Sequence, residues 1–432
     1  MDFSLSNFIE VRKKSKIGDF QDLDHIDGVS ISSVSCGLYN EKRDDLVLFY
    51  FRDKANYASV YTQSEVISEN IKWNRKIKAK KISALLVNTR NANALTGNDG
   101  YKSLKLLSED LSDRLGKMQI NDEEKPQKIN FNEIMFACTG TIGEKFPFDK
   151  ISKNIPNLID KLKHVQNKYI WMKAALAIMT TDTRPKVSMS ECKIGSSTVK
   201  VYGIAKGSGM IFPNMATTLG FIFTDATLSS NVLKKILSKN IETTFNAISC
   251  DGDTSTNDMV SIFSTNKVDH QEIKNYKDPK LNNFDKSVNE VMLNLAKSVV
   301  SDGEGASKSI TINCKNCRNE KEAKKISFSI ANSPLFKTAI AGEDANWGRI
   351  LMAVGKSGVK LNVKKISIKI GNLKVFTKGS IDKNFDEKQI SDYMKNELID
   401  LEIDMGLGKK GFKAYTMDLT QEYIKINADY RS

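Results

Sequence analysis

The side chains that usually carry nucleophilic chemistry are poorly placed in this chain. Its three histidines, His25, His164 and His270, lie in no glycine-rich or motif-like segment. A Ser-His-Asp or Cys-His arrangement is therefore poorly supported, and a nucleophile must find another base. The most unusual segment is Lys206–Leu219, KGSGMIFPNMATTL. Gly207 and Gly209 permit a sharp turn, Pro213 and Asn214 make a second, and Ala216 precedes two threonines, Thr217 and Thr218. A threonine acts without histidine if it becomes a chain N-terminus, because its own α-amine then serves as general base. That amine titrates at about 7.7–8.0, close to working pH. Residue types alone leave a second reading open, a loop punctuated by Gly and Pro between strands. Nucleotide cradles are missing: no GxGxxG opens a helix after a strand, and no GxxxxGK[ST] occurs. Cys314 and Cys317 have CxxC spacing, but no other cysteines or histidines cluster to complete a zinc site. Two ordinary thiols at a strand end, and no metal, are expected.

The elements that must position these residues read as mixed α and β. Leu46–Phe51, Ser83–Val87 and Ile134–Ala137 are apolar runs of strand length. Tyr169–Met179 lacks Gly and Pro and predicts a buried helix. Val199 and Val201 alternate with lysine into Gly203, as in a strand approaching a turn. After Ser229 and Ser230, Leu233, Ile236, Leu237, Ile241, Phe245 and Ile248 recur at helical spacing. Phe284, Val288, Val291, Met292, Leu295 and Val299 do the same, stopping at Asp302-Gly303-Glu304-Gly305. Leu361 with Val363, then Ile366, Ile368 and Ile370, alternate as strands, and Tyr423, Ile424 and Ile426 read as a last strand-like piece. At 432 residues the chain exceeds the size of one core, so two or three lobes are expected. A 40% hydrophobic content excludes bulk disorder. No apolar run is long enough to span a membrane. The N-terminus has no apolar leader core, and six cysteines give no disulfide framework, so a cytoplasmic protein is expected. The net charge of +13 is spread along the chain without interleaved aromatics, which argues against nucleic acid and suits small anionic substrates equally well.

KGSGMIFPNMATTLGF resembles the self-cleavage segment of the glutamate N-acetyltransferase family, also called ornithine acetyltransferase, of arginine biosynthesis. Seven further segments resemble that family's signatures in the family's order. They are Asn88–Gly97 (NTRNANALTG), Cys138–Glu144 (CTGTIGE), Met179–Lys186 (MTTDTRPK), Asp251–Asp258 (DGDTSTND), Asp302–Lys308 (DGEGASK), Ser333–Arg349 (SPLFKTAIAGEDANWGR) and Tyr423–Ser432 (YIKINADYRS). The first 80 residues match only in outline. Tyr61–Ser68 lacks the family's threonine-asparagine motif, and Arg90 stands where glycine is usual.

The resemblance implies a layered αββα fold of the N-terminal-nucleophile kind with a smaller C-terminal lobe. It also implies self-cleavage between Ala216 and Thr217, giving an α-chain of residues 1–216 and a β-chain of 217–432. Thr217 then becomes the nucleophile, takes acetyl from N2-acetyl-L-ornithine and passes it to L-glutamate in a ping-pong cycle. Thr218 is the rival, but it does not match the family's position. Thr139 and Gly140 match the oxyanion donors. Thr180, Lys206, Glu304, Asn427 and Ser432 match substrate contacts, with Thr181 an alternative to Thr180. Trp347 and Arg349 are read as structural. No prosthetic group is implied, acetyl-CoA is a second donor in some members, and two α and two β chains form the assembly. Two other readings are an N-terminal-nucleophile aminopeptidase or amidohydrolase, and a basic binding protein without catalysis.

Overall fold

The computed structural model describes residues 21–119, 127–212, 218–271, 273 and 275–429. In chain order its elements are β1 (Val29–Val34), β2 (Leu46–Tyr61), α1 (Glu69–Lys76), β3 (Lys81–Asn88), α2 (Gly97–Lys117), β4 (Ile134–Cys138), α3 (Phe148–Asp160), α4 (Lys168–Ala177), β5 (Lys186–Ile194), β6 (Ser197–Lys206), β7 (Leu219–Ala226) and α5 (Ser230–Asn240). There follow β8 (Ile248–Ser249), β9 (Met259–Val268), α6 (Asn282–Ser301), β10 (Ser309–Cys317), α7 (Glu320–Ala331), α8 (Pro334–Ala341) and α9 (Trp347–Gly355). The last are β11 (Ser367–Ile370), β12 (Leu373–Thr377), β13 (Ser380–Ile381), α10 (Glu387–Met394), β14 (Leu398–Asp404), β15 (Lys410–Met417) and α11 (Gln421–Ala428). Two compact units result. The first comprises the described residues within Met1–Gly207, Asn214–Glu242 and Thr254–Leu295; the second comprises those within Ser208–Pro213, Thr243–Asp253 and Ala296–Ser432. These units do not follow the expected cleavage halves.

The first unit is built on one sheet ordered β4-β3-β2-β9-β7-β6-β5, with β1 paired to β2. β2 explains the layering. Its run Leu46–Phe51 is buried on both faces, which accounts for continuous rather than alternating hydrophobicity. Leu46, Leu48 and Tyr50 face Leu104, Leu111, Ile151 and Ile155 of α2 and α3. Val47, Phe49 and Phe51 join β6, β7 and β9 in a second core, with Phe49 5.0 Å from Phe223 and Phe51 5.1 Å from Phe263 between ring centroids. β2 turns from one layer to the other at a register shift between Tyr50 and Ala55, where Lys54 has φ +57°. Trp171, Ala174 and Ile178 of the α4 region also enter that interlayer core. On the other side α6 packs on β6, where a Cβ at Gly203 would lie 2.7 Å from Leu295 and 2.8 Å from Val291. Helices thus cover both sheet layers, an αββα arrangement.

The second unit is the smaller α/β lobe. Its sheet runs β13-β12-β11-β14-β10-β15-β8. Ile310, Ile312 and Cys314 alternate inward with Ile399, Leu401 and Ile403, under Ala323, Ile326 and Ile330 of α7. Each unit has its own hydrophobic core.

Three sequence expectations are corrected. Tyr423, Ile424 and Ile426 lie in α11, a helix: the apolar residues suggested a strand, yet Ile424 is 66% exposed and Glu422 pairs with Lys425 one turn on. The helical spacing after Ser229 ends at Asn240, whose amide donates back to the Ile236 carbonyl at 3.0 Å. Ile241 and Phe245 are then buried by 3-10 turns, and Ile248 enters β8. Leu361 and Val363 are not a strand, because the Asn362 side chain accepts from Lys364 N–H and caps a 3-10 turn. β6 runs through Gly203 to Lys206, so the chain turns only at Gly207, where the glycines of the sequence place the turn.

Candidate active site

Lys206 ends β6, where the sheet pairs it with Leu219 at the start of β7. Its ammonium donates to Thr139 Oγ1 at 3.1 Å and to Thr180 Oγ1 at 2.9 Å. All three residues are half-buried. An ammonium has donors and no acceptor, so both hydroxyl oxygens accept from it. The Thr139 and Thr180 hydroxyl protons are left to be given outward, each polarised by the charge behind it.

Thr139 and Gly140 follow β4 directly. Thr139 N–H donates to the Asn88 carbonyl at 3.1 Å and Thr141 N–H to the Arg90 carbonyl at 3.0 Å, which zips the 138–144 turn to the loop after β3. Gly140 has φ +131°, and a Cβ there would lie 2.1 Å from the Arg90 carbonyl carbon; glycine is required. Arg90 itself has φ +70°, which explains why this position usually favours glycine. Its guanidinium donates to Thr141 Oγ1 and lies 3.7 Å from Glu144. Asn257, buried in the DGDTSTND segment, binds both loops: its amide nitrogen lies 2.5 Å from the Ala92 carbonyl, 2.9 Å from that of Cys138 and 3.1 Å from Asn70 Oδ1.

Thr180 and Lys206 are joined from beneath by Asp182. Its carboxylate accepts from Thr180 N–H at 3.0 Å, from Gly207 N–H at 2.6 Å and from Lys186 Nζ at 2.6 Å. Burial would raise the pKa of this carboxyl. The Lys186 and Lys206 charges and the Gly207 N–H outweigh burial and hold it well below the usual carboxylate range. A pocket of about 570 Å³ opens beside Thr180 and Asp182, lined also by Lys42, Arg43, Lys161 and Lys173. That volume suits a small-molecule ligand.

The second unit holds another cluster. Glu304 is buried after α6, accepts from Asn427 Nδ2 at 2.8 Å and donates its own N–H to the Ser208 carbonyl at 3.0 Å. A Cβ at Gly209 would lie 2.3 Å from Glu304 Oε2, so the segment after Gly207 passes this carboxylate only as glycine. Asp251 accepts from Met210 N–H at 2.6 Å and Ile211 N–H at 2.8 Å, and burial raises its pKa. Burial, with the carboxylates of Asp251 and Glu304 nearby, also raises that of Tyr423. Lys337, buried in the SPLFKTAIAGEDANWGR segment, donates to the Cys250 carbonyl. Burial lowers its pKa.

The structure therefore brings Thr139, Gly140, Thr180 and Lys206 together in the first unit, and Glu304 and Asn427 together in the second. Ala216, Thr217 and Ser432 lie outside the described residues. Thr218 is buried, and its carbonyl accepts from Met259 N–H at 3.1 Å as β7 begins. Trp347 stacks on Phe376, and Arg349 donates to the Leu335 carbonyl at 2.8 Å, so both brace the second unit. Cys314 and Cys317 are buried with sulfurs 3.4 Å apart. Among the described residues no group of three or more His, Cys, Asp or Glu could hold a metal, and no helix is long and apolar enough to cross a membrane. His164 is hydrogen-bonded to Ser30, and His270 accepts from Thr227 N–H. Asp182 and Asn257 were not singled out in the sequence. The signal for Asp182 was present as an acid and a lysine four residues apart inside MTTDTRPK.

Comparison with known proteins agrees with these segments. The sequence profile described as "ArgJ family" matches residues 30–432. The protein named "Arginine biosynthesis bifunctional protein ArgJ" from Bradyrhizobium diazoefficiens is 40% identical over 415 residues, covering 95% of this chain and 97% of that one. Its namesake from Gluconobacter oxydans is 41% identical over 412 residues, covering 95% and 93%. The crystal structure of arginine biosynthesis bifunctional protein argJ from Bacillus halodurans is 36% identical, with TM-score 0.47, over 48% of this chain and 97% of that chain.

Proposed function

The chain belongs to the ArgJ family, and we propose that it is a glutamate N-acetyltransferase acting through an ester on Thr217. The observation that carries this reading is the Lys206 ammonium shared by the Thr139 and Thr180 hydroxyls. It supplies a cation and two aimed hydroxyl donors, the equipment an acyl-transfer site needs for an oxyanion and an anionic substrate group.

In the first step the Thr217 hydroxyl attacks the Ala216 carbonyl. The peptide nitrogen leaves as the new α-amine, and water hydrolyses the resulting ester, releasing the Ala216 carboxylate. The α-amine then takes the Thr217 hydroxyl proton as the oxygen attacks the acetyl carbonyl of N2-acetyl-L-ornithine. Ornithine departs as the amine with that proton, leaving acetyl-Thr217. The amine of L-glutamate attacks this ester, N-acetyl-L-glutamate leaves, and Thr217 regains its proton. Thr139 Oγ and Gly140 N–H receive the oxyanion of each tetrahedral intermediate. Lys206 meets the substrate carboxylate with Thr180 beside it; on the family resemblance Glu304 is the contact for the ornithine ammonium and Asn427 a further substrate contact. Ser432 completes the substrate contacts. The cycle uses no metal or prosthetic group, and acetyl-CoA is the alternative donor that the assay below separates from acetylornithine. The protein works in the cytoplasm as two α and two β chains on small-molecule substrates.

The test is N-acetylglutamate formation with acetylornithine, and separately with acetyl-CoA, by wild-type protein and Thr217→Ala. The wild type should run as two fragments and transfer acetyl. Thr217→Ala should remain one 48.3 kDa chain without transfer. Full activity of an uncut chain, or acetate release independent of glutamate, would contradict the reading.

A further inference from the structure

We propose that Asp182, with Lys186 as its counter-ion, is the positioning residue of the acetyl-transfer site. The inference rests on the function above and adds residues to it. Asp182 and Lys186 side chains are 0% and 1% exposed, and their 2.6 Å contact is a fully buried ion pair. Such a pair is weak evidence of stabilisation, because well-packed apolar residues commonly do as well. What this pair does instead is directional. Two of the donors on Asp182 are the backbone N–H groups of Thr180 and Gly207. One of these residues carries a hydroxyl bound to the Lys206 ammonium, and the other follows Lys206 in the chain. One carboxylate thus sets the distance between the turn after α4 and the end of β6.

Gly207 sharpens the point. Its φ of +149° lies in a region that side-chain-bearing residues rarely adopt, so the chain leaves β6 in an unusual direction. The bond from its N–H to Asp182 Oδ1 fixes that direction immediately after Lys206. Lys186 supplies the charge balance. Lys186 meets the carboxylate directly, while Lys206 holds its ammonium against Thr139 and Thr180 and adds its charge to the field at Asp182. Removing the Lys186 charge would turn Asp182 from a support into a competitor for Lys206.

The experiment is a double-mutant cycle on acetyl transfer from acetylornithine to glutamate, using Asp182→Asn, Lys206→Ala and their combination. Asparagine keeps the shape but has one acceptor oxygen and no charge. We expect Asp182→Asn to lower kcat/KM about tenfold or more in the wild-type background, and about twofold or less when Lys206 is already alanine. A merely structural role predicts the same loss in both backgrounds, which would overturn the proposal. Lys186→Met is the second arm and retains the carboxylate. A raised KM for acetylornithine is expected, as Lys206 turns to Asp182, and unchanged kinetics would overturn the proposal even if Asp182→Asn failed to fold. Absence of transfer by the wild-type protein measured alongside would instead overturn the functional reading.

Discussion

At the scale of single residues, the site depends on which groups can only give a hydrogen bond and which can only take one. Lys206 can only give, so Thr139 faces outward as a donor strengthened by a cation behind it. Thr139→Ala removes that donor, and acetyl transfer should fall by about 10²–10³ with the fold intact. An unchanged rate would remove Thr139 from the oxyanion site. Asp182 makes the complementary case, because it can only accept. Its folded pKa is depressed, so its contribution to stability is complete above the unfolded carboxyl value of about 4 and is lost as pH falls towards the folded value. The melting-temperature gap between wild type and Asp182→Asn should therefore be level near neutrality and narrow below about pH 4. A gap that stays level to about pH 3 would show that the native carboxyl is not depressed. The sequence made Thr139, Gly140, Thr180 and Lys206 legible through motif resemblance. It did not reveal Asp182 or Asn257 as hubs, because their importance lies in backbone groups brought together from distant segments, and residue type does not report that.

Elements were legible where burial and periodicity agree. Leu46–Phe51, Ser83–Val87 and Ile134–Ala137 fall within β2, β3 and β4, and α6 follows its apolar stripe from Phe284 to Val299. Reading failed where apolar side chains are not buried by the element they suggest. Ile424 is exposed on a helix, and Phe245 is buried by a 3-10 turn. Gly203 lies inside β6, and its purpose there is to admit α6 against the strand. Gly203→Val should lower stability by about 1–3 kcal/mol through overpacking against Val291 and Leu295, measured by denaturant unfolding. Wild-type stability would mean that helix and strand are less closely packed than the structure has them.

At the scale of the molecule, the chain's two compact units each draw on both sides of the expected cut. In the first unit, β6 lies before it and β7 after it, yet they pair residue by residue from Val201–Thr224 to Lys206–Leu219. β2 likewise pairs with β9 across the two halves. Cleavage between Ala216 and Thr217 would therefore leave the fragments joined by sheet hydrogen bonds and one core, while freeing an α-amine beside the Thr217 hydroxyl. The charge of +13 gives such a site a positive surrounding field, which draws in small anions. The most direct test of the central claim is to incubate processed protein with acetylornithine and no glutamate, then locate acetyl by peptide mass spectrometry. The account predicts one acetyl group per active site on the Thr217 hydroxyl, discharged as N-acetylglutamate when glutamate is added. Acetyl transfer without a Thr217 adduct, or an adduct that glutamate does not discharge, would contradict it.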